Sequence, residues 1–268
     1  MLFNRNPSYG TGFARSRYES AYPEMWNRLV LAVAPLLGAT GDNIIDWSGH
    51  RNDGALTNTV WGAGALDFNG TSSIINCGND SILEPVAEQA YSICAWAKVD
   101  TQDTDRQFFV TKDNDTLDGR FQLRMDATDD SPANIPTFFL LTSGPTFNTI
   151  EGATALVTGR WHFICATWDG STLRLYLDGI SDATPLATTG TWASDGGVDL
   201  IIGASDTPSN YFDGKIEQVL VYNRCLTPNE VAWLYTNPKG LFIRNPHRVG
   251  FVAAAPAATF TPQVIFIM

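Results

Sequence analysis

Basic residues, histidines and paired-cysteine motifs are scarce in this sequence. Seventeen lysines and arginines face 28 aspartates and glutamates, which leaves a formal net charge of −11. An acidic chain without a localised basic patch is a poor partner for nucleic acid or for an anionic membrane surface. The three histidines, His50, His162 and His247, are widely spaced, and the four cysteines include no C-x-x-C pair. We therefore predict no zinc site and no nucleic-acid partner.

Long apolar runs and the common catalytic motifs are also absent. No stretch is long enough to span a bilayer, so we predict no membrane insertion. Residues 1–20 lack the apolar segment of a secretory signal, and we expect no cleaved signal peptide. The chain contains no nucleophile elbow, no phosphate-binding glycine loop and no HExxH zinc pattern. These absences disfavour an enzyme.

β-Branched and aromatic residues are plentiful, and short apolar runs alternate with clusters of Gly, Asn and Asp. Such residues favour strands that are joined by turns. Only one convincing helix can be read from the sequence, and 268 residues is a common size for a single sandwich domain. The pattern predicts an all-β fold, an antiparallel β-sandwich with one short C-terminal helix.

That helix is predicted near the end of residues 211–235, which read YFDGKIEQVLVYNRCLTPNEVAWLY. Asp213 and the glycine after it supply a turn, and the β-branched residues that follow favour a strand. Thr227 is typical of an N-cap, because Pro228 fits the first helical position and Glu230 can close a capping box. The apolar residues that we expect to pack together on one side are Leu226, Val231 and Leu234.

This segment resembles the last strand and closing turn of the laminin G-like domains. These domains belong to the concanavalin A-like jelly-roll superfamily, which also holds the pentraxins and the legume-type lectins. Further stretches resemble other landmarks of the family in the same order, including its L-x-F-N-G strand: residues 29–58, 65–77, 91–99, 161–179 and 200–203. The resemblance covers roughly three quarters of the chain. It implies a jelly-roll sandwich, a fold that usually binds rather than catalyses.

We predict three parts along the chain: an N-terminal arm (residues 1–25), a laminin G-like sandwich (26–238) and a C-terminal docking tail (239–268). The tail ends in the apolar sequence VIFIM, and an exposed apolar strand is a liability unless something covers it. VIFIM can add to a strand of a neighbouring protein, or it can pair with its own sandwich. The sequence LYTNPKGLFIRNP after the helix also resembles structural proteins of tailed phages and prophages.

The resemblance further implies one structural calcium ion where the first turn meets the last strand, held by hard oxygen ligands. The matching ligands are Asp46, carbonyl groups near Asn52 and Gly54, Glu217, and the amide oxygen of Asn69. The alternative is that Asp46 caps a turn and Glu217 is solvated.

Cys94 and Cys165 occupy positions that resemble the paired cysteines of pentraxins. The resemblance implies a disulfide between neighbouring strands inside the sandwich. Two reduced core cysteines are the alternative, since the sequence carries no evidence for an oxidising compartment.

A glycan site is expected in the loops between strands, because sugar binding needs aromatic faces beside planar hydrogen-bonding groups. The candidate loop residues are Asp103, Asp105, Arg106, Arg120, Trp192 and Tyr211. Each of them is also compatible with an ordinary surface position.

The sequence and its resemblances together predict a non-enzymatic structural or adhesive component of a phage-like virion, a capsid decoration, spike or fibre protein. Its arm and tail would dock on identical subunits or other virion proteins, and its loops would face host-surface carbohydrate. One alternative is a free, extracellular carbohydrate-binding lectin. The other is a divergent glycoside hydrolase, although none of the seven glutamates stands in the paired-carboxylate alternation of jelly-roll glycosidases.

Overall fold

A computed structural model describes residues 12–84, 90–113, 121–128, 130, 132–143, 146–191, 197–205 and 210–246. Most of the regular secondary structure of the described residues is strand. In chain order the strands are β1 (Leu29–Val33), β2 (Asn43–Ile44), β3 (Gly54–Thr57), β4 (Val60–Trp61), β5 (Leu66–Asn69), β6 (Ile74–Asn76), β7 (Tyr91–Val99), β8 (Gln107–Lys112), β9 (Phe121–Met125), β10 (Pro136–Thr142), β11 (Thr146–Glu151), β12 (Trp161–Trp168), β13 (Thr172–Leu177), β14 (Ile180–Ser181), β15 (Leu186–Ala187), β16 (Ile201–Ile202) and β17 (Asp213–Tyr222).

Helical structure is limited to short segments within this described part. One α-helix, α1, runs over Pro228–Thr236. Short 3-10 helices lie at Pro23–Trp26, Pro35–Leu37, Ser81–Leu83 and Gly240–Phe242. No helix of the described residues is long and apolar enough to cross a membrane.

The strands form two antiparallel sheets. The nine-stranded sheet has the order β14-β13-β12-β7-β17-β5-β4, with β1 added to β17 and β15 added to β13. The eight-stranded sheet has the order β11-β10-β9-β8-β16-β6-β3-β2. The predicted all-β sandwich is therefore confirmed. Strand β17, the predicted last strand, lies in the middle of its sheet, where it pairs with β7 on one side and with β5 and β1 on the other.

The main core lies between the two sheets and is built by alternation along each strand. On β7, for example, Ile93 and Ala95 face this core, while Cys94 and Trp96 face the opposite side of the sheet. The core is apolar and fully enclosed, and its largest members include Phe109, Phe121, Trp168 and Phe212. Burial on this scale is the main contribution to the stability of a sandwich.

Helix α1 begins as its sequence predicts. The Thr227 hydroxyl accepts a hydrogen bond from the backbone N–H of Glu230, and the Glu230 carboxylate accepts one from the backbone N–H of Thr227. Pro228 occupies the first turn, where its missing N–H costs nothing. The predicted apolar side is confirmed as well, since Leu226, Val231 and Leu234 are all buried.

A second buried cluster lies on the outer face of the nine-stranded sheet, and we call it the outer core. Helix α1, the 3-10 helix Gly240–Phe242 and the segment before β1 cover this face. The Phe242 ring packs edge-on against Trp26 at a centroid distance of 6.0 Å, and it lies 6.4 Å from Trp47. The outer core buries the residues Met25, Trp26, Leu29, Trp47, Trp96, Phe163, Tyr222, Val231, Leu241 and Phe242.

The two terminal segments are paired with each other over the outer core. Phe13 forms a β-bridge with Ile243, and the Trp26 indole N–H donates to the Leu241 carbonyl at 2.9 Å. The described parts of the predicted arm and tail, residues 12–25 and 239–246, thus lie against the sandwich. Residues 1–11 and 247–268, including VIFIM, fall outside the described residues.

Candidate functional site

A cavity of about 200 Å³ opens where three connecting segments meet. The β7–β8 loop contributes Thr104, Asp105 and Arg106, the β9–β10 loop contributes two residues, and the chain just before β17 contributes one. The lining residues are Thr104, Asp105, Arg106, Ala127, Asp130 and Asn210. We call this space the loop cavity. Its walls are polar except at Ala127.

Backbone and side-chain hydrogen bonds hold the loops around the cavity in place. The Thr128 N–H donates to the Asp103 carbonyl at 2.8 Å, which joins the β9–β10 loop to the β7–β8 loop. Gln107 ties the third segment in, because its Oε1 accepts from the Asp213 N–H at 3.0 Å and its Nε2 donates to the Thr101 carbonyl at 2.9 Å. Three segments that are far apart in sequence therefore form one wall.

Arg106 is the central charged group of the cavity. Its Nε lies 3.4 Å from the Asp130 carboxylate and 3.8 Å from that of Asp126, and its side chain is 46% exposed. Asp130 is held in turn by the Ala127 N–H, which donates to Oδ2 at 3.1 Å. The guanidinium is thereby oriented from one side and left open to solvent on the other.

Asp126 is the second carboxylate that faces Arg106, and it also pairs with Arg124. Its carboxylate is buried, receives a hydrogen bond from the Thr137 hydroxyl at 2.6 Å, and pairs with the Arg124 Nε at 3.1 Å. Burial lowers the pKa of the Arg124 guanidinium, and the charge of Asp126 opposes that shift. The largely buried Arg124 and the buried Asp126 therefore compensate each other's charge next to the cavity.

The structure brings only part of the predicted glycan set together. Asp105 and Arg106 line the cavity, Asp103 borders it through its carbonyl, and Tyr211 follows the lining residue Asn210. Arg120 and Trp192 lie outside the described residues.

Four lining residues were not predicted, namely Thr104, Ala127, Asp130 and Asn210. The run of Asp and Thr at residues 126–130 marks a turn in the sequence. That signal does not say which other loop the turn will meet.

Two of the predicted calcium ligands, Asp46 and Asn69, already accept hydrogen bonds from the protein. Both oxygens of Asp46 are occupied: Oδ1 accepts from the N–H groups of Ala32 and Ser48, and Oδ2 accepts from the Asn52 N–H and the Ser48 hydroxyl. The Asn52 side chain donates to the Val30 carbonyl. These contacts are those of the turn-capping alternative.

The other proposed ligands are also separated. The Asn69 Oδ1 accepts hydrogen bonds from its own loop, at Thr71, Ser72 and Ser73. Asn69 pairs with Asp213, four residues before Glu217 on β17, which places the two candidates about 13 Å apart along the strand. Within the described part of the chain, no group of three His, Cys, Asp or Glu side chains could hold a metal. Gly54 lies in β3, where added side-chain bulk would meet Ile75 and Ile44.

Cys94 and Cys165 stand directly opposite each other on β7 and β12. Their sulfur atoms lie 3.0 Å apart as two free, buried thiols. Burial is the largest cause that raises the pKa of the Cys165 thiol well above its ordinary value, and Cys94 adds to it. The disulfide stays a prediction.

We expect prolonged treatment with a small oxidant such as hydrogen peroxide to join these two buried cysteines, because their sulfurs need to approach by only about 1 Å to reach the length of an S–S bond. Both thiols lose hydrogen to the oxidant, so mass spectrometry under denaturing, non-reducing conditions should find Cys94 and Cys165 protected from alkylation. A Cys165→Ala variant is the control and should show Cys94 alkylated. Alkylation of both residues in the oxidised wild type would contradict the expectation.

Comparison with known proteins relates the chain to one sequence family. A family model for the concanavalin A-like lectin/glucanases superfamily, Laminin_G_3, matches residues 69–232. No curated protein matches the sequence.

Several solved structures share the fold. Domain 4 of AbnA, a GH43 extracellular arabinanase from Geobacillus stearothermophilus, in complex with arabinotriose, is 18% identical with a TM-score of 0.58, over 78% of this chain and 98% of that one. The binding domain of Paraclostridial Mosquitocidal Protein 1 is 15% identical with a TM-score of 0.60, and the match covers 80% of this chain and 53% of that one. Trypanosoma rangeli sialidase is 13% identical with a TM-score of 0.58, and the match covers 80% of this chain and 33% of that one. At these identities the likeness shows the fold alone.

Proposed function

The chain belongs to the concanavalin A-like lectin/glucanase superfamily, and on that premise we propose that it is a non-enzymatic carbohydrate-binding protein whose ligand occupies the loop cavity. The observation that carries this proposal is the oriented, half-exposed guanidinium of Arg106 beside Asp105 in a polar cavity. The structurally similar arabinanase domain was solved with arabinotriose, which is consistent with sugar binding by this fold.

The cavity offers polar groups that the described residues leave available. Among the described residues, Arg106 makes ion pairs but no hydrogen bond, and none donates to the Asp105 carboxylate. A sugar hydroxyl is both a donor and an acceptor, so it can donate to a carboxylate and accept from a guanidinium at the same time. A few such groups at the wall of a small cavity fix the orientation of a bound sugar.

Replacing Arg106 with alanine should weaken oligosaccharide binding roughly ten- to a hundredfold, the effect of losing hydrogen bonds from a charged donor. Glycan-array screening that includes arabinotriose, followed by calorimetric titration of the best hit, would measure the change. Arg160→Ala is the matched control. Arg160, just before β12, forms an exposed ion pair with Asp178, just after β13, and neither residue lines the cavity. Equal affinities for both variants would exclude the cavity as the site.

We propose binding without turnover for a physical reason. A glycosidase needs one carboxylic acid whose pKa is raised, close to a second carboxylate. Burial raises the pKa of Glu217, but Glu217 lies on β17 near Lys239 and does not line the cavity. Asp105 and Asp130 both line the cavity, so the hydrolase alternative can be tested there. Release of new reducing ends from a bound glycan by the wild type, and no such release by Asp130→Asn, would establish it.

The proposed setting is a phage-like virion, with an extracellular lectin as the alternative. In support, the bridge between Phe13 and Ile243 brings residues near both ends of the described chain to one place on the sandwich, next in sequence to segments 1–11 and 247–268. We propose that these segments dock on identical subunits or on other virion proteins. Removal of residues 247–268 should then abolish incorporation into particles, as followed by particle proteomics, while the purified protein stays folded.

A structural calcium ion remains a separate proposal, and binding would require Asp46 to give up hydrogen bonds. Chelation of the wild type tests it, and Glu217→Gln shows what that carboxylate contributes in the absence of an ion. Because burial raises the pKa of Glu217, its charged form destabilises the fold at neutral pH, and the variant should melt higher than wild type in chelator at pH 7. That gain should begin to decline as the pH falls through the raised pKa of native Glu217, and it should vanish below the ordinary pKa of a glutamate, where the unfolded chain is protonated as well. A bound ion would lower the wild-type midpoint on chelation, and an unchanged midpoint would eliminate it.

A further inference from the structure

The charge around the loop cavity restricts the class of sugar that it can hold. Four carboxylates surround or support the cavity, from Asp103, Asp105, Asp126 and Asp130, against the guanidinium groups of Arg106 and Arg124. Asp126 is buried, Arg124 is largely buried, and the two are paired with each other. The lining therefore carries two carboxylates, from Asp105 and Asp130, and one guanidinium, and the carboxylate of Asp103 belongs to the adjoining part of the loop.

That guanidinium is not free to bind an anion. Arg106 already faces Asp130 at 3.4 Å and Asp126 at 3.8 Å, so its positive charge is shared between two resident carboxylates. Recognition of a carboxylate or sulfate by arginine normally uses the whole planar fork against one anion. An anionic sugar that paired with the fork through Nε would have to displace Asp130, which the Ala127 N–H holds in place.

An anionic ligand would also meet repulsion. Asp105 lines the same cavity, and like charges placed side by side repel each other. The net charge of −11 on the chain adds an unfavourable long-range field, which slows the approach of anions. A neutral polyol meets neither cost.

We infer, resting on the proposed carbohydrate site, that the loop cavity selects neutral sugars with adjacent hydroxyl groups and rejects sugars that carry a carboxylate or sulfate. One hydroxyl donates to the Asp105 carboxylate, and its neighbour accepts from a terminal nitrogen of Arg106. The resident carboxylates thus serve two purposes: they orient Arg106, and they discriminate by charge.

Matched glycan pairs test the inference directly. A glycan array should present each neutral oligosaccharide beside its sialylated, uronic-acid or sulfated counterpart, with arabinotriose as an additional neutral probe. The wild-type protein should bind neutral members at least about tenfold more tightly than acidic ones. Raising the salt concentration should leave neutral binding unchanged, because no counter-charge is involved.

Asp105→Asn removes the repulsion while it keeps the shape of the side chain. We expect this variant to lose affinity for neutral glycans and to lower the neutral-to-acidic affinity ratio by roughly tenfold. Asp42→Asn is the matched control, since Asp42 is an exposed carboxylate next to β2 that does not line the cavity. Its affinity ratio should equal that of wild type.

The possible results separate the two proposals. Acidic glycans bound more tightly than neutral ones, with loss of binding in Arg106→Ala, would overturn the neutral-sugar inference and leave the carbohydrate site in place. Binding of neither class, or binding that Arg106→Ala leaves intact, would overturn the proposed site and the inference with it. Neutral preference that shifts in Asp105→Asn and not in Asp42→Asn supports both.

Discussion

Replacing Asp46 with alanine should destabilise the protein by about 3 to 5 kcal/mol, because three backbone N–H groups lose their acceptor in the interior. These donors belong to Ala32, Ser48 and Asn52, and the Ser48 hydroxyl loses its acceptor as well. Asp46 is buried, so water cannot replace the carboxylate without opening the structure. One side chain thereby joins strand β1 to the turn that precedes β3.

Urea denaturation followed by tryptophan fluorescence would measure this loss as a lower midpoint at unchanged slope. Asp42→Ala is the control, an exposed carboxylate near the same turn, and its effect should stay within about 0.5 kcal/mol. Both proteins should be measured with and without chelator. A loss of stability in Asp46→Ala that persists in chelator is caused by the missing hydrogen bonds. If chelator alone destabilises the wild type by the same amount, Asp46 is a calcium ligand instead.

Replacing Phe242 with alanine should cost about 3 to 5 kcal/mol, the usual range for removal of a buried aromatic ring. Phe242 is fully buried in the outer core, where its ring contacts Trp26 and Trp47. Ile243→Ala is the control at the next position, where the side chain is 47% exposed. This variant should lose about 1 kcal/mol of stability. Similar midpoints for the two variants would mean that the segment after α1 contributes little to the fold.

The same packing determines how the tail should be truncated. Removal of residues 239–268 would delete Leu241 and Phe242 and expose the outer core, so it would destabilise a virion protein and a free lectin alike. Removal of residues 247–268 spares every described contact of the outer core. Only the second truncation separates docking from folding.

Much of the fold could be predicted because its determinants are local. Alternation of apolar residues along a strand depends on neighbours two positions away, and the capping box depends on Thr227 and Glu230, three positions apart. The opposition of Cys94 and Cys165 came from the resemblance to a family, since sequence spacing alone carries no strand register.

The outer core could not be predicted in the same way. Phe242 and Trp26 are separated by almost the whole chain, and the irregular sequences around them have no periodicity that identifies a buried face. They meet because β1 and β17 are paired, which places the segment before β1 and the segment after α1 over the same surface.

The sequence by itself determined the all-β class, helix α1 with its cap, and the acidic charge, because each depends on composition or on residues within one turn or strand. The tertiary structure alone decided the loop cavity. Asp105 and Arg106 were foreseeable as polar loop residues, but their meeting with Asp130 and Asn210 depends on strand order. Strands β8 and β9 pair in one sheet and β17 lies in the other, so the chain segments beside them converge at one end of the sandwich. Which loops share an end is a property of topology, and topology is set by contacts between residues that are distant in sequence.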